Sequence, residues 1–311
     1  DHRDLHSFPT RRSSDLQYKT DPDLQAAHAA AAFIVSFDDH EVDNNWAGDF
    51  DQDGTPPEAF VLRRRSALQA WYEHMPVRRA QAPGAHGLTM HRRLDYGRLM
   101  RMHVLDTRSY RSDQPCERPQ ERHCRPADAP DVTMLGAAQE AWLADGLRGG
   151  ARWNLIAQQV FVMPVRRLTP DGRVRMGAGD TWGGYPQARA RLVKTITDLG
   201  LANVVVASGD AHIHAVGTVP LRDDEPDGPS AAVEFLATSI ASAGDGAAET
   251  EGTKAMLAGS PHMKLVNDQT FDVTAREWRA DLKVLDRVQG PGGELSKLAT
   301  FTVEGGRPAL G

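Results

Sequence analysis

Apolar and polar positions along the chain form blocks that predict helices and strands in turn. The segment "DLQAAHAAAA" follows Asp21-Pro22, a pair that is typical of a helix start. The apolar run Phe33–Phe37 predicts a buried strand. After a polar loop, residues 58–74 ("EAFVLRRRSALQAWYEH") have apolar positions near helical spacing and stop at Met75-Pro76. The first part of the chain therefore predicts helices and strands that alternate.

The same alternation continues towards the C-terminus. Residues 88–108 predict two strands that turn at Tyr96-Gly97. Helices are predicted in "LGAAQEAWLADGLRGG" and "QARARLVKTITDLG", and strands in "WNLIAQQVFV", "ANVVVAS", "AAVEFLATSIAS", "ADLKVLDRV" and "LATFTVEGG". A Gly-, Ala- and Glu-rich stretch, 243–260, is predicted to be a mobile loop. This order of elements predicts the α/β class, with layers around a mixed sheet.

The first 16 residues, "DHRDLHSFPTRRSSDL", differ from the rest of the chain because they are polar and have no hydrophobic period. The pair Arg11-Arg12 is not followed by the apolar segment that an export signal requires. We interpret residues 1–16 as a non-native or disordered leader and residues 17–311 as one partial domain. On this interpretation the chain is truncated, and the natural protein begins further upstream.

Composition and charge exclude several classes of protein. The chain has 311 residues, of which 40% are hydrophobic and 25% charged, which is ordinary for a globular protein with a sizeable core. The formal net charge of −6 disfavours non-specific attraction to nucleic acid or to an anionic membrane. No apolar run approaches the ~20 residues that a membrane span needs. We therefore expect a monomer with no nucleic-acid partner and no membrane span.

Both cysteines, Cys116 and Cys124, lie in one polar loop. They are compatible with a disulfide in an oxidising compartment or with two free thiols. A zinc site is disfavoured, because only His123 lies nearby and the usual paired spacing is absent.

Two predicted strands end in the same kind of polar sequence. The run Phe33–Phe37 leads into "DDHE" (38–41), and the run Val204–Val206 leads into "SGDAHIH" (208–214). In open α/β sheets, ligand sites gather beyond the carboxyl ends of strands. If the two strands are neighbours, we expect four side chains to converge there: Asp39, His40, Asp210 and His212.

This set of side chains favours a metal site. Carboxylate, amide and imidazole groups together suit a divalent or trivalent cation, and carboxylates prefer hard ions. For either motif by itself, a turn that caps the strand is the more ordinary explanation. The two motifs together, with Asn44-Asn45 adjacent to the first, make the metal site the better interpretation.

Two other groups of polar residues are weaker candidates. Arg108 and Arg111, in "DTRSYRSDQP", offer bidentate binding of phosphate, but a solvated salt-bridge face is the more common role of such a loop. Gln158 and Gln159 end a predicted strand, where buried hydrogen bonding is their ordinary use.

The sequence is similar to the alkaline phosphatase D (PhoD-like) family of the metallophosphatase-like superfamily. Seven blocks appear in the order found in the family and cover about residues 18–304: "DPDLQAAHA…FIVSFDDHEVDNNWAGD", "HVLDTRSYRSDQPC", "TMLGAAQEAWLADGL", "WNLIAQQV", "DTWGGYPQARARL", "NVVVASGDAHIHAV" and "EFLATSIAS". The number and order of the blocks make this resemblance far more specific than either acidic motif by itself.

The resemblance implies a four-layer α/β/β/α sandwich around mixed sheets that hydrolyses phosphate monoesters and diesters. It implies iron and calcium as cofactors, with other divalent metals as alternatives, a small phosphate ester as substrate and an extracytoplasmic location. It makes Asp39, Asp210 and His212 metal ligands. It also makes His40 a contact of the transition state or leaving group, and Asn44 and Asn45 catalytic-site residues.

The departures from the family pattern concern the N-terminal side of the site. Members carry an upstream Gly-Asp-x-x-Tyr block whose Asp bridges two metals and whose Tyr binds iron, and nothing before Asp38 supplies it here. We therefore expect about half of a dinuclear site and impaired activity. Two alternatives stay open: a truncated, non-catalytic member that binds a single cation or phosphate, and a nuclease-like phosphodiesterase.

Overall fold

The structure is a computed structural model, and it describes residues 19–84, 87–115, 126–176, 179–238, 250–266, 272–273, 277–285 and 294–310. The proposed leader, 1–16, lies outside the described residues, and so do Cys116 and Cys124. The boundary at residue 17 and the state of the two thiols therefore stay predictions.

The described residues form five α-helices and twelve strands. The helices are α1 (Pro22–Ala30), α2 (Pro57–His74), α3 (Gly136–Leu147), α4 (Pro186–Asp198) and α5 (Glu251–Gly259). The strands are β1 (Arg92–Tyr96), β2 (Met100–Val104), β3 (Trp153–Ala157), β4 (Arg166–Leu168), β5 (Val174–Met176), β6 (Val204–Ser208), β7 (Ala215–Pro220), β8 (Ser230–Leu236), β9 (Met263–Val266), β10 (Asp272–Val273), β11 (Glu277–Leu285) and β12 (Leu295–Glu304).

A mixed sheet of seven strands forms the centre of the protein, in the order β1-β2-β3-β6-β8-β7-β9. Strands β2, β3, β6 and β8 are parallel neighbours, while β1, β7 and β9 pair antiparallel. Strands β10, β11 and β12 form a second sheet, and β4 and β5 form a hairpin. The carboxyl ends of β2, β3, β6 and β8 consequently lie along one edge of the large sheet.

Apolar side chains cover both faces of the large sheet. On one face, Leu143 of α3 and Leu192 of α4 belong to the largest buried core. On the other face, Trp153 and Phe235 pack against Trp278 of the second sheet, with ring centroids 6.2 and 6.4 Å apart. Helices, a large mixed sheet and a small sheet thus form successive layers, which confirms the α/β class.

The prediction of a buried strand at Phe33–Phe37 is wrong. The segment is extended but pairs with no strand among the described residues, and Phe33 and Ile34 are 37% and 48% exposed. Only its end is buried, because Phe37 packs against Trp46 and Trp71 in a small separate core. Hydrophobicity alone predicted burial, but pairing also requires a neighbouring strand.

The prediction of a mobile loop at 243–260 is wrong for residues 251–259, which form α5. The helix begins with a capping box, in which the Thr250 hydroxyl accepts from the Thr253 amide at 3.1 Å while the Thr253 hydroxyl accepts from the Thr250 amide at 2.8 Å. Met256 then packs into the largest core. The glycine content of the stretch concealed these helix signals.

Candidate active site

Three carboxylates meet at the edge of the sheet where the parallel strands end. Oxygens of Asp38, Asp39 and Asp210 all lie within 4.8 Å of one another. Asp38 and Asp39 follow the extended segment 32–37, and Asp210 follows β6. The structure therefore brings Asp39 and Asp210 together, and it adds Asp38 to them. We call these three residues the acid cluster.

The loop that follows holds the Asp39 side chain in place. Asp39 Oδ1 accepts a hydrogen bond from the His40 amide at 2.8 Å, and Oδ2 accepts one from the Asn45 amide at 2.9 Å. Because both oxygens are held by backbone donors and the side chain is only 5% exposed, its orientation is fixed by the loop itself.

The backbone is unusual at three of the residues that the sequence singled out. Among the described residues, the non-glycine residues with positive φ are Asn45 (53°), Asp210 (70°) and His212 (54°). Such conformations cost on the order of 1–3 kcal/mol each and cluster at functional sites. The loop that follows the extended segment 32–37 and the loop that follows β6 are therefore strained in the part that presents the candidate residues.

Arg108 lies beneath the acid cluster and connects it to a fourth carboxylate. Its Nε is 2.6 Å from Asp38 Oδ1, its Nη1 is 2.9 Å from Asp180 Oδ1 and its Nη2 is 3.4 Å from Asp210 Oδ1. Burial alone would lower the pKa of this guanidinium, but Asp38, Asp180 and Asp39 together raise the pKa above its ordinary value. Arg108 is thus a fixed positive charge beneath the acids.

One arginine does not neutralise the acid cluster. Burial, and next the charge of Asp38, raise the pKa of Asp210 to about 8. Burial also raises the pKa of Asp38, although Arg108 opposes the shift. Carboxylates that are held together and resist ionisation are a favourable setting for a hard cation, which removes the repulsion between them. The donor set therefore fits a metal ion that prefers oxygen ligands.

A second polar group adjoins the acid cluster through Arg108. Asp180 Oδ1 accepts from Arg108 Nη1 at 2.9 Å, from Arg111 Nη2 at 2.5 Å and from Gln114 Nε2 at 2.5 Å. The side chains of Arg108 and Arg111 are both 0% exposed. We call Arg108, Arg111 and Gln114 the anion cradle, because their donors converge on one carboxylate oxygen.

The buried Gln159 side chain links the chain segments that follow the strands beside the acid cluster and the anion cradle. Gln159 Oε1 accepts from the Thr107 amide at 3.0 Å and from the Thr107 hydroxyl at 2.6 Å. The Gln159 carbonyl accepts from the Gly209 amide at 2.8 Å. These bonds tie the residues after β2, β3 and β6 together, which confirms a buried hydrogen-bonding role for this glutamine.

Comparison with known proteins identifies the family. The model of the PhoD-like phosphatase family matches residues 3–282. The chain belongs to the PhoD-like phosphatase family. It is 37% identical over 298 residues to alkaline phosphatase D of Bacillus subtilis (strain 168), covering 94% of this chain and 51% of that protein. It is also similar to the solved "Structure of PhoD", with a TM-score of 0.84 and 36% identity, covering 94% of this chain and 57% of that one.

The family resemblance seen in the sequence is thereby confirmed. The chain spans about half the length of the curated relative that it matches. Within the described residues, no helix is both long and apolar enough to cross a membrane.

Not every residue implied by the PhoD-like resemblance joins the acid cluster. The His40 ring is 73% exposed, with Nε2 3.9 Å from Asp39 Oδ2. The Asn44 side chain donates through Nδ2 to Gln52 Oε1 at 2.8 Å, and Asn45 contributes its backbone amide to Asp39. His212 is exposed and is not in the acid cluster. The roles expected for these residues stay predictions.

The structure also adds residues that the sequence analysis ranked lower or missed. Arg108 and Arg111 were expected to form a solvated salt-bridge face; they do form salt bridges, but both are buried. The preference for a solvated face is wrong, because the loop turns inward against Asp38 and Asp180. Asp38 is adjacent to Asp39 and was detectable as a further acid, whereas nothing in the sequence near Asp180 indicates its contact with two arginines.

Proposed function

We propose that this chain carries the catalytic centre of a metal-dependent phosphate-ester hydrolase. The observation that supports this most directly is the close approach of Asp38, Asp39 and Asp210 above a buried arginine. Membership of the PhoD-like phosphatase family points to the same chemistry. The proposed substrates are small phosphate monoesters and diesters.

In this proposal Asp38, Asp39 and Asp210 hold the cation, with His212 as a further ligand from the same loop as Asp210. Iron and calcium are the proposed ions, because hard carboxylate oxygens suit both and the family resemblance implies them. When bound, such an ion supplies charge stabilisation for phosphate oxygens and a water of lowered pKa.

The protein's own residues have separate tasks. The Asn45 amide and the His40 amide keep the Asp39 carboxylate oriented, which preserves the site between turnovers. The His40 ring is exposed and lies beside Asp39, so we assign it the proton or hydrogen bond delivered to the leaving oxygen. Asn44 completes the loop through its bond to Gln52.

Two further features belong to this proposal. We propose that the protein works outside the cytoplasm, as the family resemblance implies. We also propose that it is a monomer, with a small phosphate ester rather than nucleic acid as its partner, which agrees with a net charge of −6.

The experiment is hydrolysis of 4-nitrophenyl phosphate and of bis(4-nitrophenyl) phosphate, measured with added calcium and iron. The test variant is Asp39→Asn, and the matched control is Asp198→Asn, which changes an exposed acid on α4. We expect weak metal-dependent hydrolysis, in keeping with the impaired activity inferred from the sequence. Asp39→Asn should reduce it by at least about a hundredfold, because metal-ligand loss removes much of the charge stabilisation.

Hydrolysis that is equal in both variants would contradict the assignment of the acid cluster. Saturable calcium binding with no hydrolysis of either ester would favour the non-catalytic alternative. The ratio of the two rates separates a monoesterase from a diesterase.

A further inference from the structure

Most donors of the anion cradle have acceptors, because Arg111 also donates to the carbonyl oxygens of Asp180 and Trp46, and Gln114 to that of Asn45. Asp180 supplies one carboxylate oxygen, Oδ1, to Arg108, Arg111 and Gln114. Its second oxygen, Oδ2, is buried and accepts no hydrogen bond from the described residues. Arg111 Nε is likewise buried without an acceptor among those residues. Buried donors and acceptors of this kind are rare in folded proteins and call for an explanation.

A phosphate group offers the cradle more acceptors than the Asp180 carboxylate does. A carboxylate has two oxygens in one plane, whereas a phosphate group has three or four oxygens that point in different directions. Arg108, Arg111 and Gln114 each donate to one Asp180 oxygen, Arg111 Nε remains without an acceptor among the described residues, and arginine binds phosphate oxygens in pairs. A phosphate group would supply an acceptor to Arg111 Nε as well as to the donors that Asp180 now occupies.

The cradle also lies beside the acid cluster. The Arg108 guanidinium contacts Asp180 through Nη1 and Asp210 through Nη2, so a single planar group separates the two sites. An anion in place of the Asp180 carboxylate would therefore lie within a few ångströms of the proposed cation position.

We propose that Arg108, Arg111 and Gln114 form a binding site for the phosphate group, and that the Asp180 carboxylate occupies this site as an internal competitor. This inference rests on the proposed function for its substrate class, but it concerns a site built from other residues. Asp180 is the counter-ion that pairs with both buried arginines when no phosphate is present, and it must move aside before phosphate enters.

The competition has a measurable consequence. When only a minor fraction of the protein is in the conformation that binds, the apparent affinity for the ligand falls in proportion to that fraction. Removing the Asp180 carboxylate should therefore tighten phosphate binding by about tenfold or more, since minor states of this kind are commonly populated at 0.1–10%.

The experiment is calorimetric titration with inorganic phosphate in the presence of a chelator, so that no cation at the acid cluster contributes. Wild type is compared with Asp180→Ala and with Asp180→Asn, which keeps an oxygen acceptor but loses the charge. The matched control is Asp223→Ala, because Asp223 pairs with another buried arginine, Arg189, outside the cradle. We expect Asp180→Ala to bind phosphate at least about tenfold more tightly than wild type, with Asp180→Asn between them and the control unchanged.

Adding Arg111→Gln to Asp180→Ala should abolish the gain in phosphate affinity, and this result would assign the bound phosphate to the cradle. A parallel titration with phenylphosphonate, an ester-like compound that is not hydrolysed, separates the two sources of the group. A gain for both ligands indicates a site for the substrate's phosphoryl group, and a gain for inorganic phosphate alone indicates a site for the released product.

Folded Asp180→Ala and Asp180→Asn proteins that bind phosphate no more tightly than wild type would overturn the proposal. If neither variant folds in phosphate-free buffer, recovery of the folded state by phosphate supports it, and failure to fold with or without phosphate overturns it in favour of a purely structural counter-ion. Because binding is measured without turnover or metal, a failure here is distinct from failure of the proposed hydrolysis.

Discussion

Asp39 and Asp210 belong to loops that lie far apart in the sequence, yet their carboxylate oxygens approach within 4.8 Å. Asp39 is held by backbone amides of its own loop, and Asp210 has a left-handed backbone directly after β6. Neither arrangement is needed to cap a strand. The approach of the two acids is the relationship on which the proposed chemistry depends.

Replacing Arg108 by methionine tests its role as the fixed charge beneath the acids. Arg108→Met removes the buried partner of Asp38 and Asp210 and leaves Asp180 with Arg111 as its buried ion pair, so we expect a loss of roughly 3–5 kcal/mol in the free energy of unfolding. Calcium should restore part of this loss, because a bound cation replaces the missing positive charge. Chemical denaturation with and without calcium measures both effects.

The control for this variant is Arg191→Met, which breaks the partly exposed pair between Arg191 and Glu140. Arg191→Met should lose no more than about 1 kcal/mol in the free energy of unfolding, and calcium should not restore that loss. Equal losses in the two variants, or no calcium response in Arg108→Met, would show that Arg108 is not a fixed charge that stabilises the acid cluster.

Substitution of Gly48 tests how closely the loop after Asp38 and Asp39 packs against the loop that contains Arg111. Its φ is +58°, and an added Cβ would lie 2.8 Å from the Arg111 carbonyl oxygen. Gly48→Ala should therefore cost more than the ~1–2 kcal/mol of the left-handed backbone alone. Gly54→Ala is the matched control, because Gly54 has a similar φ of +73° but open space around it. In urea denaturation, Gly48→Ala should have a clearly lower free energy of unfolding than Gly54→Ala. The reverse order would mean that the loops do not pack as described.

Glu234 provides a pH-dependent test of the buried network behind Asp210. Its carboxylate accepts from the Ser208 hydroxyl at 2.5 Å and from the Met163 amide at 2.6 Å. Burial raises the pKa of Glu234 from 4.5 to about 7, although these hydrogen bonds oppose the shift. Between these values the folded state holds a proton that the unfolded state has lost, so stability falls as pH rises through this window.

The Glu234→Gln variant cannot titrate and should lack this dependence. The stability gap, which is the free energy of unfolding of wild type minus that of Glu234→Gln, should therefore fall by on the order of 3 kcal/mol from pH 4 to pH 8. Thermal unfolding of both proteins across this range measures the gap, and titration of other groups cancels in the difference. A stability gap that stays constant with pH would contradict the raised pKa of Glu234.

The sequence predicted most of the regular elements because their signals are local. Asp21 caps α1 by accepting from the Leu24 amide, Gly200 closes α4 with a φ of +62°, and Tyr96 lies at the predicted turn between β1 and β2. The segment Phe33–Phe37 shows the limit of this reasoning, because strand pairing depends on a neighbour that hydrophobicity does not reveal.

The candidate site was predictable where its residues followed apolar runs and unpredictable where they met across loops. Asp210 follows a strand, β6, whose end lies with those of its parallel neighbours, whereas Asp39 follows an unpaired extended segment that reaches the same place. The contacts of Asp180 with Arg108 and Arg111 join loops whose packing no local pattern encodes. His212 was expected to converge with Asp210, but it follows the left-handed backbone at Asp210 and is exposed outside the acid cluster.

Calcium binding by single and double variants of Asp39 and Asp210 tests the central claim most directly. Calorimetric titration of Asp39→Asn and of Asp210→Asn should each show calcium affinity reduced by about tenfold or more, because each removes a charged ligand, whereas the control Asp198→Asn should match wild type. The double variant should depart from the sum of the two single losses, because both residues bind one ion. Unchanged affinity in either single variant, or strictly additive losses, would contradict a shared cation site.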